Sequence, residues 1–310
     1  MKIPKGLKKG GTIGLVGASG ATPPESLPQA IDAVERLGFK VVVGNSCRER
    51  HGYLAGSDEL RANDVNRMFL DSSIDGIFCI RGGYGATKIL PMLDYGMIKE
   101  NPKVFAGYSD VTALHIAFNQ LCDLVTYHTP MPSTEFIKPE MDDYTLSSFK
   151  EGVSFTEKTH YYLTNPPNQE MTTLVPGKAT GRLVGGNLTL IASSLGTPYE
   201  IDTKGKILFL EDIDEYERSI DRMLTQLKLS GKLDEASGIL LGAWTNCGPH
   251  NSGSPEHSLR LQTIFEEILV PLQKPILMDI ACGHCLPTMS LPLGRTISLN
   301  SETKTIEVIQ

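Results

Sequence analysis

In the first half of the chain, short β-rich apolar runs alternate with stretches of helical periodicity, and this alternation narrows the fold more than any other feature. Thr12 to Ala18, Lys40 to Val43, Ile74 to Ile80, Lys103 to Tyr108 and Leu124 to Tyr127 read as strands, each bounded by Gly, Asp or Pro. Between them Glu25 to Leu37, Ser57 to Leu70, Ala86 to Ile98 and Val111 to Leu121 carry apolar residues at helical spacing. Such alternation predicts an α/β fold in which a mostly parallel sheet is covered by helices on both faces. Ligands on sheets of this kind sit at the carboxyl ends of the strands.

The pattern stops between Thr156 and Thr180, where Asn165, Pro166, Pro167, Asn168, Pro176 and Gly177 mark a connector. A chain of 310 residues suits two domains of roughly 150 residues, and the division is expected as 1–165 and 166–310. The second part opens with Gly181 to Leu195. A strand Lys206 to Leu210 follows, then a helix Glu215 to Leu229 with Ile220, Met223, Leu224 and Leu227 on one face. Ile239 to Trp244 and Pro275 to Ile280 read as strands, and Thr296 to Leu299 with Thr305 to Ile309 as a hairpin.

Composition excludes several classes of function. A net charge of -7 without a Lys/Arg block leaves no strip on which a phosphate backbone could lie, so nucleic acid is not an expected partner. The apolar patch Thr12 to Ala18 is short and broken by Gly14 and Gly17, which fits a buried strand better than an export signal. No apolar run approaches the roughly 20 residues that span a bilayer, so no membrane partner is expected. The six cysteines are too sparse for a disulfide framework, and reduced thiols point to a cytoplasmic address.

Four places can carry chemistry. Gly107-Tyr108-Ser109-Asp110 falls where a strand stops and a helical pattern begins, a turn that lifts a serine hydroxyl off the sheet beside free helix N–H groups. Capping the helix is the commoner role for such a serine, and the segment is not Gly-x-Ser-x-Gly. Arg81-Gly82-Gly83-Tyr84-Gly85 follows a strand directly, and its glycines let the backbone approach a ligand. The acidic run Glu211, Asp212, Asp214, Glu215, Glu217 is most simply a solvated helix start, although Glu211 follows Phe209 and Leu210 directly and, if buried, needs a partner. Cys282-Gly283-His284-Cys285 spells a redox motif in the wrong place, late in the chain and followed by Pro287 and Pro292. Zinc would need further ligands at suitable spacing, and no metal is expected. His51, His115, His128, His160, His250 and His257 stay open as alternatives to His284.

Taken in order, Ser57-Asp58-Glu59-Leu60-Arg61-Ala62-Asn63-Asp64, Arg81-Gly82-Gly83-Tyr84-Gly85, Gly107-Tyr108-Ser109-Asp110, Gly185-Gly186-Asn187-Leu188, Phe209-Leu210-Glu211-Asp212 and Gly283-His284 resemble the LD-carboxypeptidase family, peptidase family S66. The resemblance spans nearly the whole chain. It implies an N-terminal Rossmann-like or flavodoxin-like domain carrying the nucleophile and a smaller β-rich C-terminal domain, with the active site between them. It also implies Ser109 as nucleophile, Glu211 as the acid and His284 as the base, with the backbone N–H groups of Asp110 and of the Gly82 to Gly83 turn as oxyanion donors. Arg81, Gly82, Tyr84 and Asn187 are the expected substrate contacts, with Arg81 pairing the substrate's free carboxylate. The family's two best-known branches remove the terminal D-alanine of cytosolic murein tetrapeptides or inactivate a peptide-nucleotide antibiotic. The Arg81 to Gly85 segment looks like the first branch. No cofactor is implied, and a homodimer is. Cys282 and Cys285 beside His284 depart from the family pattern.

Overall fold

The apolar runs of the first half assemble into a sheet whose strand order dictates where a site can form. A computed structural model describes residues 1–139, 141–248 and 257–310; His250 lies outside the described residues. Two compact units are present, Met1–Lys158 with Ser290–Gly294, and Thr159–Met289 with Arg295–Gln310.

In the first unit β1 (Thr12–Val16), β2 (Lys40–Val43), β3 (Gly76–Cys79), β4 (Val104–Gly107) and β5 (Thr126–His128) run parallel in the order 2-1-3-4-5. This is the flavodoxin-like winding, which reverses direction between β1 and β3 and opens a crevice at the carboxyl ends there. Parallel neighbours need long crossovers, and helices Ser26–Arg36, Asp58–Leu70 and Thr112–Leu121 provide three of them. Helices on both faces explain why β3 and β4 are buried at every residue. The single helix expected over Ala86 to Ile98 is interrupted. Pro91 confines Leu90–Met92 to a 3₁₀ turn, and Asp94 starts a new helix, Tyr95–Glu100, by accepting a hydrogen bond from Met97 N at 2.9 Å.

The second unit is β-rich, and its centre repeats the parallel theme. Its first strands are β6 (Tyr161–Leu163), β7 (Thr172–Val175), β8 (Lys178–Asn187), β9 (Ile207–Ile213), β10 (Gly238–Thr245) and β11 (Ile276–Met278). The next strand, β12 (Leu291–Leu293), belongs to the first sheet, where it pairs antiparallel with β5. A hairpin of β13 (Thr296–Asn300) and β14 (Thr305–Val308) ends the chain. Strands β8 to β11 are parallel, with β7 antiparallel at one edge and β13, β14 and β6 at the other. Ile220, Met223, Leu224 and Leu227 of helix Glu217–Leu229 are buried, as their spacing predicts.

Three features depart from the sequence reading. Two strands, β6 and β7, lie in the connector, held by long-range pairing at sheet edges. Strand β12 sits in the first sheet, whereas a single cut at 165/166 would assign it to the second domain. Strand β9 runs on through Glu211 and Asp212, and the helix begins only at Glu217. No described helix is long and apolar enough to cross a membrane.

Candidate active site

Ser109 follows β4 and begins a 3₁₀ turn that leads into helix Thr112–Leu121. Its φ is +65°, the left-handed region that a non-glycine residue occupies only when its surroundings impose it. Those surroundings are buried and polar. The Gly107 carbonyl accepts hydrogen bonds from Thr129 N at 3.1 Å and from His115 Nε2 at 2.8 Å, so the imidazole carries its proton on Nε2. Tyr108 donates its hydroxyl proton to Glu135 at 2.9 Å. Asp110 is buried, and its Oδ2 accepts from Ala86 N at 2.8 Å, tying the serine turn to the segment after β3. Burial pushes the Asp110 carboxyl above the usual carboxylate range. The N-cap positions of this turn and of the helix after it are Tyr108 and Val111, and neither makes a side-chain cap.

The glycine loop after β3 packs directly on Ser109. An ideal Cβ on Gly82 would lie 2.8 Å from Ser109 Cβ and 3.0 Å from its Oγ, so only a glycine leaves the serine in place. Gly83 has φ +114° and faces Gly20, whose N–H donates to the Gly82 carbonyl at 3.1 Å. The loops after β1, β3 and β4 thus converge at the carboxyl ends, where the winding order opens its crevice. Arg81 is half-buried and donates to the Ala21 carbonyl at 3.1 Å. Tyr84 is exposed, with its ring edge-to-face against the exposed Tyr53 at 5.7 Å.

In the second unit Glu211 and His284 meet. Glu211 is fully buried on β9, and its Oε2 accepts from His284 Nδ1 at 2.7 Å. Its other oxygen, Oε1, is buried and finds no donor among the described residues, so the imidazole is the partner that answers for the carboxylate. His284 lies in the loop after β11 and is held through its own carbonyl, which accepts from Thr245 Oγ1 at 2.6 Å. The preceding Gly283 has φ +114°, and a Cβ there would come within 2.6 Å of Glu211 Oε2. Next to Glu211, Asp212 accepts from Asn187 Nδ2 at 2.8 Å and from Thr189 N and Oγ1, both at 2.9 Å. Asn187 also caps helix Leu188–Ser193 by accepting from Leu190 N at 3.2 Å. Its amide therefore serves the wall behind Glu211. Within the acidic run Glu211 and Asp212 are buried strand residues whose partners lie on other elements, a fact that local sequence cannot show, while Asp214 is exposed and Glu217 begins the helix.

The other histidines are placed differently. His51 and His257 are exposed, His115 and His128 are buried in the first unit, and His160 forms an exposed pair with Glu307 at 3.1 Å. Cys282 and Cys285 are both free thiols. Cys282 is fully buried with its Sγ toward the Met289 carbonyl, and burial pushes its thiol far above the ordinary range, which suppresses the thiolate a redox centre needs. Arg61, quoted in the sequence only as part of a motif, is the largest fully buried side chain and contacts the same loops.

Two family models match the chain: the LD-carboxypeptidase N-terminal domain over residues 13–129 and the LD-carboxypeptidase C-terminal domain over residues 180–299. The chain is 42% identical over 302 residues to the probable murein peptide carboxypeptidase of Bacillus subtilis strain 168, covering 97% of this chain and 92% of that protein. Among solved structures, microcin C7 self-immunity protein MccF in complex with aspartyl sulfamoyl adenosine matches with a TM-score of 0.90 at 28% identity, covering 100% of this chain and 99% of that one. Muramoyltetrapeptide carboxypeptidase from Oxalobacter formigenes matches with a TM-score of 0.81 at 26% identity, covering 95% and 97%.

Proposed function

The chain belongs to the LD-carboxypeptidase family, peptidase family S66, and from that premise we propose that it removes the terminal D-alanine of murein tetrapeptides through Ser109, Glu211 and His284. It is a serine-type carboxypeptidase. The observation that carries the assignment of residues is the Glu211–His284 hydrogen bond of 2.7 Å, made to a fully buried carboxylate. A carboxylate on Nδ1 leaves Nε2 as the base and stabilises the imidazolium that forms when the serine gives up its proton. A serine is a weak nucleophile without such a base.

In this reading Ser109 Oγ attacks the carbonyl carbon of the L,D peptide bond while His284 Nε2 takes the hydroxyl proton. The N–H groups of Asp110 and Gly83 receive the oxyanion, each donor accounting for roughly 10²- to 10³-fold in rate. D-alanine leaves with the proton returned by His284, and water then hydrolyses the acyl-enzyme by the same path in reverse. Gly82 sets the approach of the loop to the serine, and Arg81 meets the substrate's free carboxylate. Tyr84, exposed beside that loop, lines the substrate's path, and Asn187 acts through Asp212.

We place the enzyme in the cytoplasm, in keeping with its six free cysteines, with neither nucleic acid nor membrane as partner. It works as a homodimer, so light scattering should report twice 33.8 kDa. The likeness to MccF favours one rival substrate, an aminoacyl sulfamoyl nucleotide. Mass spectrometry of both compounds with wild type and Ser109→Ala decides the matter. Loss of one D-alanine from the tetrapeptide with wild type alone is expected. Full turnover by Ser109→Ala, or turnover of the nucleotide conjugate alone, would overturn the proposal.

A further inference from the structure

We infer that Arg61 is a positioning residue for the hydrolysis, a buried clip that sets the glycine loop at its working distance from Ser109. Arg61 projects from helix Asp58–Leu70 and is 0% exposed. Its Nη1 donates to the Ala18 carbonyl at 2.6 Å and to the Gly85 carbonyl at 2.8 Å, and its Nη2 pairs with Asp58. Ala18 belongs to the loop after β1, and Gly85 closes the loop after β3. One nitrogen therefore bridges the two segments whose contact, Gly20 N–H to the Gly82 carbonyl at 3.1 Å, lies between those anchor points.

The chain of contacts continues to the nucleophile. Beyond Gly85, Ala86 N donates to Asp110, the residue after Ser109, at 2.8 Å. Gly82, on the other side of the loop, is so close to Ser109 that a Cβ would lie 2.8 Å from the serine Cβ. The space at Gly85 is also filled, since a Cβ there would meet Arg61 Nη1 at 2.9 Å and Leu54 Cδ2 at 2.5 Å. A shift of the guanidinium thus moves the loop that touches the serine.

Removing the guanidinium would leave the Ala18 and Gly85 carbonyls and Asp58 without this donor, which costs stability, so the test must separate that cost from an effect on rate. What the planar fork supplies is geometry: donors at fixed angles hold two carbonyls and a carboxylate at once, and neither a thioether nor a single ammonium reproduces that. The inference rests on the reading of Ser109 as nucleophile.

The test uses Arg61→Met and Arg61→Lys in the full chain, with wild type and Ser109→Ala alongside. Tetrapeptide kinetics, the rate of labelling by a fluorophosphonate probe and thermal unfolding are measured for each. The expected result is cooperative unfolding in at least one Arg61 variant, with kcat about 100-fold below wild type, the size of loss that a displacement near 1 Å produces. The labelling rate should fall in parallel while KM changes less than about threefold, a split that a general loss of fold would not give. A folded Arg61 variant with wild-type kcat and labelling would overturn the inference, as would failure of both variants to fold, since Arg61 would then serve the fold alone. If wild type resists the probe and Ser109→Ala stays active, the nucleophile reading itself fails, a result distinct from either.

Discussion

Two glycines do for the candidate site what no side chain can. At Gly283 a Cβ would stand 2.6 Å from Glu211 Oε2, and the φ of +114° would strain any other residue. Gly283→Ala is therefore expected to push Glu211 and His284 apart and to lower kcat about 100-fold, with far-UV circular dichroism unchanged. Gly82→Ala crowds Ser109 in the same way, and slow fluorophosphonate labelling should report it. The sequence marks Gly82 and Gly83 as a place of close approach, yet Gly283 reads only as the neighbour of a histidine, because the carboxylate it packs on is 72 residues away. The cysteines beside His284 are expected to be dispensable: with Cys282 buried and its thiolate disfavoured, Cys285→Ser should keep kcat within about threefold, with or without reductant. Loss of activity in Cys285→Ser would revive the thiol reading.

The elements show where local pattern stops being informative. Alternation of period-two and helical stretches suffices for β1 to β5 and for helix Glu217–Leu229, since all of these but the edge strand β2 bury most of their own apolar residues. It fails at β9, where acids continue a strand. Glu211 and Asp212 are tolerated there because His284, Asn187 and Thr189 reach them from other elements. Helix Thr112–Leu121 carries a comparable long-range feature in His115, which is fully buried beneath Gly107 with Nδ1 lacking a partner among the described residues. Burial lowers its pKa from 6.5 to about 4. Between those values the unfolded chain binds a proton that the native state refuses, so stability falls as pH drops through this window, by about 3 kcal/mol in all. Burial raises the Asp110 and Asp212 carboxyls, and these contribute with the opposite sign. The quantity to read is therefore the difference between wild type and His115→Asn in denaturant midpoints from pH 7 to pH 4, which should narrow as the acid limit is approached. A constant difference would refute this account.

At the scale of the whole molecule, the candidate residues of either unit lie at the carboxyl ends of its own parallel strands: the loops after β1, β3 and β4 in the first, and β8, β9 and the loop after β11 in the second. The sequence reading anticipates an α/β first domain and a β-rich second one. It names the strands at β9, β10 and β11 but not β8, whose glycines hide a period, and local pattern does not give their parallel direction. It also misses the return of Leu291–Leu293, because a three-residue strand containing Pro292 has no local signature. A fragment of residues 1–165 would lack that strand and present a bare β5 edge, a template for pairing with other chains. We expect such a fragment to self-associate in dynamic light scattering under conditions where the full chain gives a single narrow peak.

The late arrival of β12 also orders events during synthesis. The residues that seal the β5 border, 291 to 293, follow β6 to β11 in the chain, so a nascent polypeptide on the ribosome carries an unfinished sheet until all of those strands have been made. Domains commonly fold as they emerge, N-terminal first; here the N-terminal layer must wait for residues 291 to 293, and any stall before Leu291 leaves a natural client for chaperones.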